Sequence, residues 1–223
     1  PYINTNGSVD SIVTANQASG FSIVKHVSPN AAGGNYTIGH GLSQAPEFII
    51  MKNLDSNGYR WTTYDVTSGP QYYMALNEGR AATSYPAAFP VAPDSSAFTL
   101  SQWPHPAGDS AISYCFHSVS GFSKIGEYTG NGSSNGPSVT TGFNPAFIMV
   151  KCTSSPDYDW LMTDNTRGGI LYANLENAEY SPTGNAFDDR MTANPTGFQI
   201  TTTNGNWNEN GQTYLYIAFA EQP

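Results

Sequence analysis

Residues 41–52 read GLSQAPEFIIMK, and residues 142–151 read GFNPAFIMVK. Each is a turn, a proline and an apolar run that stops at a lysine. Neither Phe48-Ile49-Ile50-Met51 nor Phe147-Ile148-Met149-Val150 contains a polar alternate. A strand that is apolar on both sides is normally covered on both sides. A proline at its start opens such a strand without removing a donor from its middle. The chain therefore predicts one central β-strand that occurs twice.

Further matches extend outward from this stretch in a constant order. Gly20-Phe21-Ser22 precedes the first copy and Gly121-Phe122-Ser123 the second. Trp61 pairs with Trp160, Asp65 with Asp164 and Leu76 with Leu175, all at the offset that relates Lys52 to Lys151. Phe98-Thr99-Leu100 corresponds to Phe198-Gln199-Ile200, and the segment Gly108 to Phe116 corresponds to Gly211 to Phe219. Ordered matches along a whole unit are the signature of a tandem repeat. Asn-Gly pairs at Asn57, Asn135, Asn204 and Asn210 favour tight hairpins. No segment carries a sustained apolar helical period, apart from short turns near Leu76 and Leu175 that could be helical. The expected fold is all-β: two tandem β-sandwich, jelly-roll-like repeats of about 100 residues packed together, with little helix. The expected boundaries are an extended arm or linker over 1–19, repeat 1 over 20–120 and repeat 2 over 121–223.

Composition narrows the function classes. A chain of 223 residues buries roughly 70–75% of its unfolded surface. Charged residues make up 11% and aromatic residues 13%, which argues for a rigid β protein and against disorder. The net charge of −9 disfavours a phosphate-tracking surface, so no nucleic-acid partner is expected. No apolar stretch approaches the ~20 residues of a membrane-spanning helix, so no membrane insertion is expected. Pro1 follows no initiator Met or signal pattern, which reads as a fragment or processed product. Cys115 and Cys152 each lie on an apolar strand, where buried free thiols are expected.

The candidate chemistry is sparse. There is no Gly-x-Ser-x-Gly elbow, and His26, His40, His105 and His117 have no counterparts in the second copy. No Cys or His pair has zinc spacing, and Asp157, Asp159, Asp164 and Asn165 lack a calcium-loop signature. No metal or cofactor is therefore expected. Asp65 and Asp164 recur in both copies, which favours a turn hydrogen bond over an acid-base role. Trp61 and Trp160 are matched strand residues expected in the core. Trp103 and Trp207 fall in loops ahead of each copy's last strand, flanked by His105 and Asn208. The copies differ most between 80–96, which holds Tyr85, and 179–196, with Asp188-Asp189-Arg190. Long divergent loops often carry function. The expected ligand-binding set is Trp103, His105, Tyr85, Trp207 and Asn208.

Read together, GFSIV, IGHGLSQAPEFIIMK, AISYCF, GFSKIGEYTGNGSSNGP, GFNPAFIMVK and YLYIAFAEQP resemble a tandem-repeat β domain of tailed phages of marine bacteria. That domain usually ends tail-fibre or other virion appendage proteins. The resemblance spans about residues 20 to 223 and brings no catalytic or binding residues with it. It implies a non-enzymatic location on the virion surface, in contact with other virion subunits, as a homo-oligomer (a trimer by analogy). It also implies adhesion to a host-cell glycan or receptor. A capsid-decoration or connector protein is the alternative expectation, and a capsule depolymerase the third.

Overall fold

The computed structural model describes residues 1–29, 34–101, 105–181 and 183–221. The fold is all-β, built of antiparallel sheets. The chain divides into two compact units. Unit 1 comprises Pro1–Leu76 and Ala82–His117; unit 2 comprises Asn77–Ala81 and Ser118–Pro223.

Unit 1 contains β1 (Tyr2–Asn4), β2 (Ser11–Asn16), β3 (Phe21–Val27), β4 (Tyr36–Gly39), β5 (Phe48–Asn53) and β6 (Thr62–Asp65). It continues with β7 (Tyr72–Ala75), β8 (Thr83–Ser84), β9 (Ala97–Leu100) and β10 (Ser110–Phe116). Its main sheet runs β1-β2-β3-β10-β5-β6-β7-β8, and β4 pairs with β9 in a second sheet. Strand alternation decides what faces inward. Val24 on β3, Ile49 and Met51 on β5 and Cys115 on β10 meet Ile38, Phe98 and Leu100 of the smaller sheet in one buried cluster. The apolar run of β5 lies between β10 and β6, and Phe48, Ile49 and Met51 are all buried.

Unit 2 contains β11 (Ser123–Thr129), β12 (Ser138–Thr140), β13 (Pro145–Cys152), β14 (Leu161–Asp164) and β15 (Ile170–Tyr172). After these come β16 (Met191–Asn194), β17 (Gly197–Ile200), the one-turn helix α1 (Gly205–Asn208) and β18 (Thr213–Ala220). Its main sheet runs β11-β18-β13-β14-β15, the order that β3-β10-β5-β6-β7 takes in unit 1. Its second sheet is β12-β17-β16. Ile148, Val150 and Tyr216 face Val139, Phe198 and Ile200 across the core. The expected helical turns near Leu76 and Leu175 are non-helical turns.

Three expectations need correction. Residues 1–19 are not an arm or linker: β2 pairs with β3 from Ser11↔His26 to Asn16↔Phe21, and Val13 is fully buried. The alternation is hard to see in sequence because Ile12, on the opposite face, is exposed. Trp61 is not a core residue. It is 37% exposed, whereas Trp160 is 0% exposed. Finally, the segment 77–81 leaves its own copy and belongs to unit 2. Both cysteines are free and buried, and burial pushes the Cys115 thiol up to about 12.

Candidate functional site: a carboxamide-lined cleft in unit 2

The five residues expected to bind a ligand do not gather. Trp103 lies outside the described residues. His105 is fully buried in unit 1, with its ring edge-on to His26 at 6.3 Å between centroids. Tyr85 is exposed in unit 1, close to Tyr73. Trp207 and Asn208 sit on α1, and both are buried in unit 2. The Asn208 carboxamide is held inside the protein: it donates to the Ser133 and Thr202 carbonyls at 2.7 and 2.8 Å and accepts from the Asn131 amide at 2.8 Å. The Trp207 carbonyl accepts from the Tyr128 hydroxyl, whose ring stacks on Tyr214 at 5.0 Å. Residues this enclosed cannot meet a surface ligand, so His105, Trp207 and Asn208 are corrected to structural positions. The sequence places Trp207 in a loop before the last strand, but it lies on a short helix and is buried.

The second copy's divergent segment forms a different site. Phe187, Asp188 and Asp189 carry φ angles of 54°, 50° and 56°. Three consecutive non-glycine residues in the left-handed region are costly, on the order of 1–2 kcal/mol each. Side chains on both sides hold them there. Phe187 enters the core, and the buried Asp188 carboxylate accepts from the Thr183 hydroxyl at 3.0 Å and pairs with Arg190 at 3.4 Å. The loop also lies directly on the turn after β14. A Cβ at Gly168 would stand 2.5 Å from the Asn185 carbonyl, and the Ser181 hydroxyl donates to the Gly168 carbonyl at 2.9 Å. Asp164 organises that turn by accepting from the amides of Thr166 and Arg167 at 2.9 and 2.7 Å. Asp65 accepts from the Ser68 amide in the equivalent place. Both acids thus serve turns, as their recurrence suggests.

Between this loop, the turn after β14 and the start of β13 lies a cleft of about 390 Å³. Its polar lining is Asn144, Asn165, Asn185, Asp189 and Thr192, with Pro145, Phe187 and Met191 among its apolar walls. Asn144, Asn185, Asp189 and Thr192 are exposed and Asn165 half-buried. The Asn185 amide nitrogen donates to the Asp189 carboxylate at 2.9 Å, and that of Asn165 donates to Glu221 at 2.8 Å. Each carboxamide has two donors and an acceptor of two lone pairs, so capacity for further bonds remains. Asp189 is the single acid on the described lining. Such a surface offers directional donors and acceptors with little net charge.

The model of the family described as a domain of unknown function (DUF7483) matches residues 1–223. The chain belongs to the DUF7483 family. The DUF7483 match takes in both units, including β1 and β2. No curated protein and no solved structure matches the chain.

The sequence reading missed Asn144 and Asn165, although a signal was present. At the offset relating Lys52 to Lys151, their counterparts in the first copy are Ala45 and Val66. Two apolar positions become carboxamides in one copy, on either side of a shared backbone bond. The Val66 amide donates to the Glu47 carbonyl, as the Asn165 amide does to that of Ala146.

Proposed function

We propose that this chain is a non-enzymatic domain of a virion surface appendage, a tail fibre or spike, and that it adheres to a host-cell glycan through the unit 2 cleft. The observation that carries the reading is the carboxamide lining of Asn144, Asn165 and Asn185 beside Thr192. Neutral, directional donors and acceptors suit polyhydroxyl ligands, and a cleft open to solvent admits one residue of a long chain. The resemblance to phage appendage domains and the low charge agree with a particle-surface protein. Adhesion is favoured over cleavage because glycoside hydrolysis normally uses two facing carboxyl groups, and this lining offers Asp189 alone. Its partners are the host glycan and other virion subunits, including further copies of the chain.

The test is binding to purified host surface polysaccharide, with Asn144→Ala and Asn165→Val restoring the first copy's residues. A loss of at least tenfold in affinity, with unchanged unfolding, is expected. Equal affinity in the folded double variant would sink the site, and new reducing ends in the polysaccharide would overturn the non-enzymatic reading.

One observation favours the alternative of a structural particle protein. Ile3, Ile12 and Val27 are exposed and share one face at the β1-β2-β3 edge of unit 1. On that reading Ile3→Ser with Ile12→Ser lowers the oligomeric state and leaves polysaccharide binding alone.

A further inference from the structure

The unit 2 cleft is more selective in its chemistry than a general polyhydroxyl surface requires. Its lining holds one acid, Asp189, and no lysine, arginine or histidine among the described residues. The arginines of the adjoining segments are already tied to carboxylates, Arg167 to Asp164 at 2.7 Å and Arg190 to the buried Asp188 at 3.4 Å. Glu221, which accepts from the Asn165 amide, adds a second negative charge beside the lining. A carboxylated sugar would meet these acids without a counter-charge, and like charges in contact select against a ligand.

Asp189 is held from two sides. Its Oδ2 accepts from the Asn185 amide at 2.9 Å, and its backbone carbonyl accepts from the Thr201 hydroxyl at 2.9 Å. Its φ of 56° belongs to the left-handed turn described above. The other carboxylate oxygen, Oδ1, has no hydrogen-bond partner among the described residues. Asn144 makes no side-chain hydrogen bond among those residues either, so both its N–H groups and its carbonyl are open. Ala186, Met191 and Ala193 add a small apolar wall. The lining thus combines an acceptor fixed in place, an uncommitted donor and apolar surface on the scale of a methyl group.

We propose that the saccharide residue seated in this cleft is an N-acetylated hexosamine, in preference to an unsubstituted hexose, a free amino sugar or a uronic acid. This rests on the glycan-binding reading above and names its ligand class. An acetamido group presents three features at once: an N–H for the open Asp189 oxygen, a carbonyl for the Asn144 amide, and a methyl for the alanine and methionine wall. A hexose hydroxyl answers only the first. A free amine is attracted to Asp189, but an exposed ion pair is weak, and the carboxamide and the wall stay unused. The cleft's volume of about 390 Å³ is low in the roughly 300–1,000 Å³ range of small-ligand sites, which suits one substituted residue of a chain. A single methyl-sized contact discriminates between ligands by about tenfold or more in an enclosed pocket, and an open cleft belongs at the low end.

The full chain is titrated by calorimetry with short β-1,4-linked oligomers that differ only in the substituent at carbon 2: N-acetylglucosamine, its deacetylated form and glucose. A glucuronic acid oligomer is the acidic probe. N-acetylgalactosamine against galactose, read by ligand-observed NMR, covers the other ring configuration. A preference of about tenfold for the acetylated member of either series is expected, with the weakest binding to the uronic acid. In saturation-transfer NMR of the unaltered protein the acetamido methyl should carry the strongest signal, a readout that needs no variant. Asp189→Gly, which removes the carboxylate where glycine adopts positive φ freely, should reduce that preference at least threefold. Equal affinity across a series, tighter binding of the deacetylated or uronic acid probe, or a methyl without saturation would overturn the proposal. So would binding of host polysaccharide but of no acetylated probe, and in all these cases the glycan-binding reading stands. Binding of neither the probes nor host polysaccharide would overturn both.

Discussion

The two units present the same strand order with different surroundings. Matched residues show how much a frame leaves undecided. Lys52 is half-buried and donates to the Tyr59 carbonyl. Lys151 is fully buried and donates to the Tyr158 carbonyl at 2.6 Å and the Gly79 carbonyl at 3.0 Å. Gly79 comes from the 77–81 segment that unit 2 takes in, and no second strand of chain plays that part for Lys52 among the bonds described. Trp61 and Trp160 share a position and differ from partly exposed to sealed. Val66 and Asn165 follow equivalent strands, one at an open surface and the other on the polar cleft. A repeat duplicates backbone hydrogen bonding more faithfully than it duplicates solvent.

The largest test of this comparison is at the paired tryptophans. Trp160→Ala should cost about 3–5 kcal/mol by urea unfolding, as for a large buried aromatic side chain. Trp61→Ala should cost no more than about 1 kcal/mol. Equal losses would mean that the two positions are more alike than their exposure indicates.

Next come the paired glycines after the repeated aspartates. Gly69 and Gly168 have φ angles of 78° and 65°, but a Cβ meets nothing within 4 Å at Gly69. Alanine at Gly69 should cost about 1–2 kcal/mol, from the left-handed backbone alone. At Gly168 the clash with the Asn185 carbonyl should add roughly 1–3 kcal/mol and weaken polysaccharide binding with it.

The buried lysine of unit 2 is tested by pH. Burial holds the Lys151 amine down from 10.5 to about 8, against the opposing pull of Cys152, Asp159 and Asp157. A lysine whose folded pKa is depressed loses its proton first in the folded chain, so its burden on stability is relieved as pH rises above 8. The stability difference between Lys151→Met and the unaltered protein should therefore shrink by about 2 kcal/mol from pH 8 to 9.5. Taking that difference cancels the buried tyrosines and the Cys115 thiol, whose pKa values burial raises. A flat difference would show that the amine is hydrated.

The smallest effect in stability is the most telling for function. Asn144→Ala and Asn165→Val, which give unit 2 the first copy's residues, should each change unfolding by no more than about 0.5 kcal/mol. The reverse changes, Ala45→Asn and Val66→Asn, should not create polysaccharide binding in unit 1, because no strained loop like 187–189 completes a cleft there among the described residues. Gain of binding would shift the weight of the site from loop to turn.

Much of the frame was readable because its causes are local. An unbroken apolar run flanked by proline and lysine reads as a central strand wherever it falls, so β5 and β13 were legible in advance; the expected cover on both faces is incomplete, because Ile50, Phe147 and Met149 are only half-buried. Asp65 and Asp164 were legible as turn residues because an aspartate after a strand caps the amides two and three residues on. The docking of β2 was not, since one of its faces is open and its alternation is weak. The direction of Trp207 was not either: a four-residue helix carries no periodic signal, and Tyr128, 79 residues away in the chain, is what holds it.

By itself the sequence determined the all-β class, the doubled central strand and the places where the copies diverge. Tertiary structure alone decided which member of each matched pair is sealed from water. It also decided that carboxamides from three separate segments converge on one cleft, and that His26 and His105 meet. The physical reason is range: hairpins and strand faces follow from neighbours along the chain, whereas burial and convergence depend on segments that the sequence does not order in space.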